Sequence, residues 1–443
     1  MHPPNMLPII IAGAGPCGLL CAVTLQNYNI PYHIIERVER SRLTADVGSG
    51  FDMAPTAVRI FDHLDLPRWR EMMTEYAGIT MMRMDGERVR DIAMEDLAGG
   101  EAFAAKRSTL QSILVEKIGD SFNGNASFGV SVVGYDENER AQKVTVRLSD
   151  GTEMEGRALL ACDGWRSAIR EQMLGGTTDK DPVHFCNVAM WWGKCDVGSD
   201  LLELLEPTQS GDGESFCWFM GDGTRPGQFC GALTDDGSTF LWSAAQQCGV
   251  DPEQSDDLTI RGGVRGQAIK NELLTLVNDQ ERCELIRKIV AATPADSVTK
   301  VGLYDRQNLD QKMVSPGGLV ALLGDAGHPQ TPFLGMGCNM ALADAFAVCT
   351  RLGAPKGRSN DKVALAALSC LDEPDRKKFA RSTVLEARKI ANLSTSTSIV
   401  LNFITRKFMQ LAPVKYIFPR VDEGNRSFVN QALQCCGLAP LPE

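Results

Sequence analysis

The 443-residue chain reads as an α/β protein: a doubly wound parallel sheet, interrupted by an antiparallel β-sheet and followed by a helical tail. Three observations predict this. Leu7-Pro-Ile-Ile-Ile-Ala12 is a continuous apolar run leading into a glycine turn and a helical stretch, as a strand buried on both faces would be. Two later apolar runs, Ala158-Leu-Leu-Ala-Cys162 and Leu319-Val-Ala-Leu-Leu323, repeat that signature far downstream. Between them, short alternating stretches separated by Gly and Asp (Phe185 to Trp192, Ser215 to Met220, Gly227 to Thr234, Thr239 to Ala244) read as an inserted antiparallel sheet.

The remaining elements follow in order. Tyr32-His-Ile-Ile-Glu36 supplies the second parallel strand. The stretch from 77 to 95 reads as a hairpin turning at Asp85-Gly86. Arg107 to Ile118 reads as a helix with Leu110, Ile113, Leu114 and Ile118 on one face, and Ser108 with Gln111 as its capping box. Ser131 to Asp150 gives two strands, residues 270–292 are helical, and Met336 to Leu352 forms a long apolar helix. The expected division is discontinuous. Residues 1–76, 97–181 and 293–356 form the dinucleotide-type domain, 77–96 and 182–292 the inserted sheet, and 357–443 a helical region.

Composition excludes several classes. Hydrophobic residues at 44% and charged residues at 23% are ordinary globular values. The 42 Gly and 21 Pro follow no collagen-like period, which rules out fibrous and low-complexity chains. A net charge of -11 without a sustained Lys/Arg run argues against nucleic acid as a partner. The 14 Cys form no Cys-x-x-Cys pair, and the five His lie far from cysteine clusters, so no metal centre is expected. Unpaired cysteines at this density suit a reducing, cytoplasmic setting. The N-terminus lacks a basic n-region, and Ile390 to Thr405 is too polar to span a bilayer.

Gly13, Gly15 and Gly18 sit between a strand and a helix, the setting in which such a turn cradles a pyrophosphate. The first glycine permits the tight turn, the second admits the phosphate, and the third lets helix and strand pack closely. Glu36 ends the second strand 18 residues after Gly18, where a carboxylate can accept from a ribose hydroxyl. A structural turn without nucleotide is the alternative. Asp163 and Asp325 each follow an apolar strand, at the sheet end where α/β proteins bind ligands.

These motifs together resemble the FAD-dependent monooxygenases of the aromatic-hydroxylase type, such as the salicylate and para-hydroxybenzoate hydroxylases. The resemblance rests on GAGPCG at 13–18 with Glu36-Arg37, on CDGWRSAIR at 162–170, and on GDAGHPQTPFLGMGCN at 324–339, in that order. Gly48-Ser-Gly-Phe-Asp-Met-Ala-Pro55 and Lys106-Arg-Ser-Thr-Leu110 match as well, and the similarity runs from residue 7 to about 350. It implies a Rossmann-like FAD-binding domain, bound FAD, NADPH or NADH as transient reductant, and molecular oxygen as co-substrate. It implies hydroxylation or epoxidation of a small aromatic or polyketide-like substrate through a flavin hydroperoxide.

Carried over by position, the resemblance assigns Glu36 to the adenosine ribose, with Arg37, Gly48 and Gly50 nearby. It assigns Arg107 to the pyrophosphate or ribityl region, Asp325 with Gly324 to the ribityl chain, and Asp163 to flavin and nicotinamide. Gly335, Gly337, Cys338 and Asn339 would face the pyrimidine edge of the flavin, flanked by Pro332 and Phe333. No catalytic side chain is assigned; acid–base duty for His328 is not implied. Trp192, Trp218 and Trp242 are the expected substrate-pocket residues, and the strand Met190-Trp191-Trp192 lacks the Arg that salicylate-hydroxylase-like proteins often carry there. Other readings on the same fold are a halogenase, a reductase or a FAD-binding redox sensor. The halogenase stretch Trp-x-Trp-x-Ile-Pro does not occur. Oligomeric state stays open.

Overall fold

β1 (Ile9–Ala12) is buried along its whole length because parallel neighbours flank it on both sides. It pairs with β2 (Tyr32–Glu36) and with β12 (Ala158–Ala161). β19 (Val320–Leu322) and β8 (Ala126–Phe128) complete a five-stranded parallel sheet of order β19-β12-β1-β2-β8. The carboxyl ends of β1, β12 and β19 therefore lie side by side, and the three motifs that follow these strands converge. The computed structural model describes residues 6–45, 50–175, 183–198, 202–203, 205, 215–221, 227–234, 237–248, 264–278, 283–306, 310–353, 367–414 and 422–442. Gly48 lies outside the described residues.

α1 (Pro16–Asn27) packs along α7 (Met336–Gly353) on this sheet, and α3 (Arg107–Ile118) packs beside α1. The Cys17 thiol donates to the Ala341 carbonyl at 3.3 Å across the first of these contacts. The expected capping box of α3 is absent. β7 (Phe103–Lys106) runs directly into the helix, which places Ser108 inside its first turn, and the cap position falls on Lys106. Gln111 is thereby released for another duty, described below.

The second sheet has eight strands in the order β17-β18-β13-β16-β15-β14-β5-β6. These are β5 (Gly78–Arg83), β6 (Arg88–Ala93), β13 (Val183–Asp196), β14 (Ser215–Met220), β15 (Gln228–Thr234), β16 (Thr239–Gln247), β17 (Val264–Arg265) and β18 (Thr299–Arg306). Two expectations change here. The sheet is not wholly antiparallel, because β14 and β5 run parallel. β18, expected within the first domain, belongs to this sheet, since the 14-residue β13 presents a second long edge that β18 fills. One face packs on α5 (Gln267–Leu276) and α6 (Glu284–Ala292), which replace the single helical stretch expected over 270–292.

Among the described residues, three further α-helices lie in the C-terminal region: α8 (Pro374–Ser394), α9 (Ile399–Leu411) and α10 (Glu423–Cys435). α10 packs on α7, and Phe428, Val429, Ala432 and Leu433 join the core of the first sheet. Among the described residues no helix is long and apolar enough to cross a membrane.

Candidate cofactor and substrate site

The turn after β1 is shaped by its glycines. Gly13 has φ +101°, and a Cβ there would lie 2.4 Å from the Cys162 carbonyl oxygen. A Cβ on Gly18 would lie 1.9 Å from the Gly13 oxygen, so both positions are closed to any side chain. A Cβ on Gly15 would meet nothing within 4 Å, which leaves that side of the turn open to an approaching pyrophosphate at the α1 N-terminus. Ala14 is held from both sides. Its N–H donates to Glu36 Oε2 at 2.6 Å, and its carbonyl accepts from Gln111 Nε2 at 3.1 Å. Glu36 Oε1 also accepts from the Val38 N–H at 2.9 Å. Glu36 thus orients the turn, and its oxygens keep lone pairs for a hydroxyl. Arg107 Nε donates to Gln111 Oε1 at 3.2 Å, which carries the cation to the same turn; Arg37 is exposed at its rim.

The motifs after β12 and β19 form the opposite wall. Asp163 is pushed up to about 6 by burial, against hydrogen bonds from Ser167 and from the backbone at the start of α4 (Ala168–Met173). Its Oδ1 is buried without a partner. A buried orphan carboxylate oxygen at the carboxyl end of a central strand is what a ligand hydroxyl would satisfy. Arg170, 1% exposed, reaches from α4 to the Ala326 carbonyl at 2.8 Å and so ties this wall to the turn carrying Asp325. Asp325 itself is exposed at the site.

Behind that turn lies a buried ionic hub. Asp344 on α7 accepts from the Gly324 N–H at 3.0 Å, pairs with His328 Nε2 at 2.6 Å and receives Arg376 Nη2 at 2.6 Å. Burial alone would raise Asp344, but Arg376 and His328 hold it down at about 2. Arg376 also donates to Asn425 Oδ1 and to the Met340 carbonyl, and its guanidinium lies 4.5 Å from the Phe428 ring centroid. His328 therefore supports the backbone of the turn from behind.

Gly335, at φ +64°, precedes α7, with Gly337 and Cys338 in that helix's first turn. Asn339 is turned away from the expected cofactor edge. Its Nδ2 donates to the carbonyls of Gly335 (2.8 Å) and Asp52 (2.7 Å), and its Oδ1 accepts from the Ala54 N–H at 2.8 Å. This side chain clamps the helix start to β3 (Gly50–Met53), so Asn339 contributes backbone and positioning. Asp52 sits against this start, with Oδ2 2.9 Å from where a Gly335 Cβ would be. Burial pushes it up to about 6 against a hydrogen bond from Tyr76.

Strand pairing decides where the three tryptophans point. Trp192 pairs with Ser243, Ser243 with Cys230, Cys230 with Trp218, and Trp218 with Met81. These five residues form one row on one face of the sheet. Leu241 shares that face and meets Gly50, and Phe333 packs in the cluster containing Trp192, so this end of the row looks toward the first domain, whereas Trp218 and Met81 pack with Met409 of α9. Pro332 is exposed beside it. Trp242 departs from expectation: one position out of phase, it points to the other face, stacks on Phe229 at 5.6 Å and donates to Thr293 Oγ1 at 2.8 Å. It is core, not pocket. Asp344, Arg376 and Asp52 were not singled out from sequence, and Gln111 only as a capping-box partner. For Asp52 a signal existed, since it lies within the matched stretch 48–55.

Residues 6–199 and 265–368 match the FAD binding domain family. Among curated relatives, the aurachin C monooxygenase/isomerase of Stigmatella aurantiaca is 28% identical over 76% of this chain and 79% of its own. The FAD-dependent urate hydroxylase of Klebsiella pneumoniae is 26% identical over 94% of this chain and 95% of its own. A salicylate hydroxylase solved as a substrate complex shares the fold at TM-score 0.71 and 18% identity, covering 96% of this chain and 98% of that one. The chain belongs to the FAD binding domain family, as a FAD-dependent monooxygenase of the aromatic-hydroxylase type.

Proposed function

We propose that this enzyme uses NADPH or NADH to hydroxylate or epoxidise an uncharged aromatic or polyketide-like small molecule. One observation carries the substrate class. Trp192, Ser243, Cys230 and Trp218, on the four central strands of the second sheet, form a row without a charged side chain, the first cation beyond Trp218 in that register being Arg90 on the outer strand β6. A carboxylate substrate would be left unpaired against such a surface, whereas an apolar ring stacks on it. When bound and reduced, FAD supplies the oxygen-activating chemistry, one oxygen atom going to substrate and the other to water.

The chain's own residues do the rest. Gly15 and the α1 N-terminus receive the pyrophosphate, Glu36 the ribose, Asp163 and Asp325 the polar chain of the cofactor, and Arg107 neutralises charge at the turn. The α7 N-terminus presents a positive dipole end to negative charge arising on the cofactor ring. Trp192 and Trp218 hold the substrate and exclude water. The test is oxygen consumption and product mass for the FAD-loaded protein given NADPH or NADH and two matched panels. Neutral phenols and polyketide-like aromatics should accelerate reductant oxidation and gain one oxygen atom. Acceleration confined to the aromatic carboxylates of the second panel would overturn the reading.

A further inference from the structure

α9 turns an apolar face to solvent. Asn402 points inward, buried and donating to the Ser396 carbonyl at 2.6 Å. Its apolar positions face solvent, with Ile399 71%, Val400 69%, Phe403 53%, Ile404 58%, Phe408 50% and Leu411 76% exposed. At ~100° per residue these six span about half of the helix circumference. A stripe of this size on a well-anchored element marks a surface that works against a partner. The anchoring is firm: Met409 packs with Met81, Ile92 and Met220, and Arg90 donates to the carbonyls of Met409 (3.2 Å) and Ala412 (2.7 Å) at the helix end.

We infer that α9 is a lipid-docking helix that seats the enzyme on an anionic membrane surface, with the β5–β6 edge of the second sheet beneath it. The charge pattern selects lipid over a second copy. The helix contains two charged residues, Arg406 and Lys407, both basic, in a chain of net charge -11. Lys407 lies among the exposed apolar residues, where a long side chain can reach up to phosphate headgroups while its methylenes stay in the apolar layer. A symmetric contact between two copies would instead bring Lys407 toward its own counterpart in an apolar interface, which is unfavourable. Thirteen residues span about 20 Å, short of the ~30 Å hydrocarbon thickness, so the helix lies in the interface plane.

The test is co-sedimentation of the FAD-loaded protein with phosphatidylcholine vesicles, with and without phosphatidylserine. The protein should pellet with the phosphatidylserine vesicles. The double variant Ile404→Glu/Phe408→Glu should lose about tenfold or more in partition while keeping its thermal unfolding transition, because both positions are exposed. Lys407→Glu should weaken binding to the phosphatidylserine vesicles and leave phosphatidylcholine binding unaffected. Two results would overturn the inference: no pelleting with either vesicle, or a dimer in sedimentation velocity that the double variant dissociates, which would hand this face to a second copy.

Discussion

Two carboxylates, one following β12 and the other behind the turn after β19, behave in opposite ways. Asp344, behind it, is fully buried yet held at about 2, because a guanidinium, an imidazole and a backbone N–H share its two oxygens. Asp163, on the cofactor side, is pushed up to about 6 and keeps one oxygen without a partner. The difference separates structural polarity from functional polarity. A group that builds the scaffold is saturated by the chain, whereas one that serves a ligand is left short of a partner.

The largest expected effect breaks the saturated side. Arg376→Met leaves the Asp344 charge buried against His328 alone and should cost about 3–5 kcal/mol in denaturant unfolding, with loss of bound FAD. The same pairing predicts acid sensitivity. Its contribution is complete above the ordinary aspartate range and is lost as pH falls toward about 2.

The two faces of the second sheet give the next test. Trp242→Ala should cost about 3 kcal/mol, since it opens a cavity in the core beside Phe229 and removes the N–H that Thr293 Oγ1 accepts. Trp192→Ala should cost clearly less in stability and instead change which aromatic compounds accelerate reductant oxidation. Equal stability losses would contradict the assignment of the two faces.

A smaller effect sharpens the carboxylate comparison. Asp52 has its folded pKa raised from 3.8 to about 6, so between those values the folded state binds more protons than the unfolded chain. Stability from this group is therefore present below about pH 4 and declines as pH rises through 6. Asp52→Asn should raise stability at neutral pH by about 1–2 kcal/mol and leave it unchanged below pH 4, read from unfolding at several pH values. The smallest stability effect belongs to Gly15→Ala, within about 1 kcal/mol, because the added methyl meets open space. Its FAD affinity should nevertheless fall, as that space is the pyrophosphate's approach; unchanged affinity would remove Gly15 from the site.

Much of this was legible in the sequence because it is local. The glycine turn, Glu36 and the aspartates after β12 and β19 are set by strand ends a few residues away, and α3 spans Arg107–Ile118 as its apolar spacing predicts. What escaped depends on partners far along the chain. Nothing near Asp344 announces Arg376, and nothing near Ser108 says that β7 will run straight into α3 and release Gln111. The tryptophans teach the same lesson. Alternation places Trp191 and Trp192 on opposite faces, but the phase of Trp242 against them exists only once β13 and β16 are paired, Gly193 opposite Trp242.

Asp422, just ahead of α10, accepts from both the N–H and the hydroxyl of Thr56 in α2 (Pro55–His63), at 2.8 and 2.7 Å, across 366 residues of chain. Together with Arg376 and Asn425 this means that the cofactor domain is held together by helices far downstream of its own motifs. The turn after β19 and the helices that brace it meet only in the folded state, so a change in α8 that removes the guanidinium disturbs a cofactor cradle more than thirty residues away in sequence.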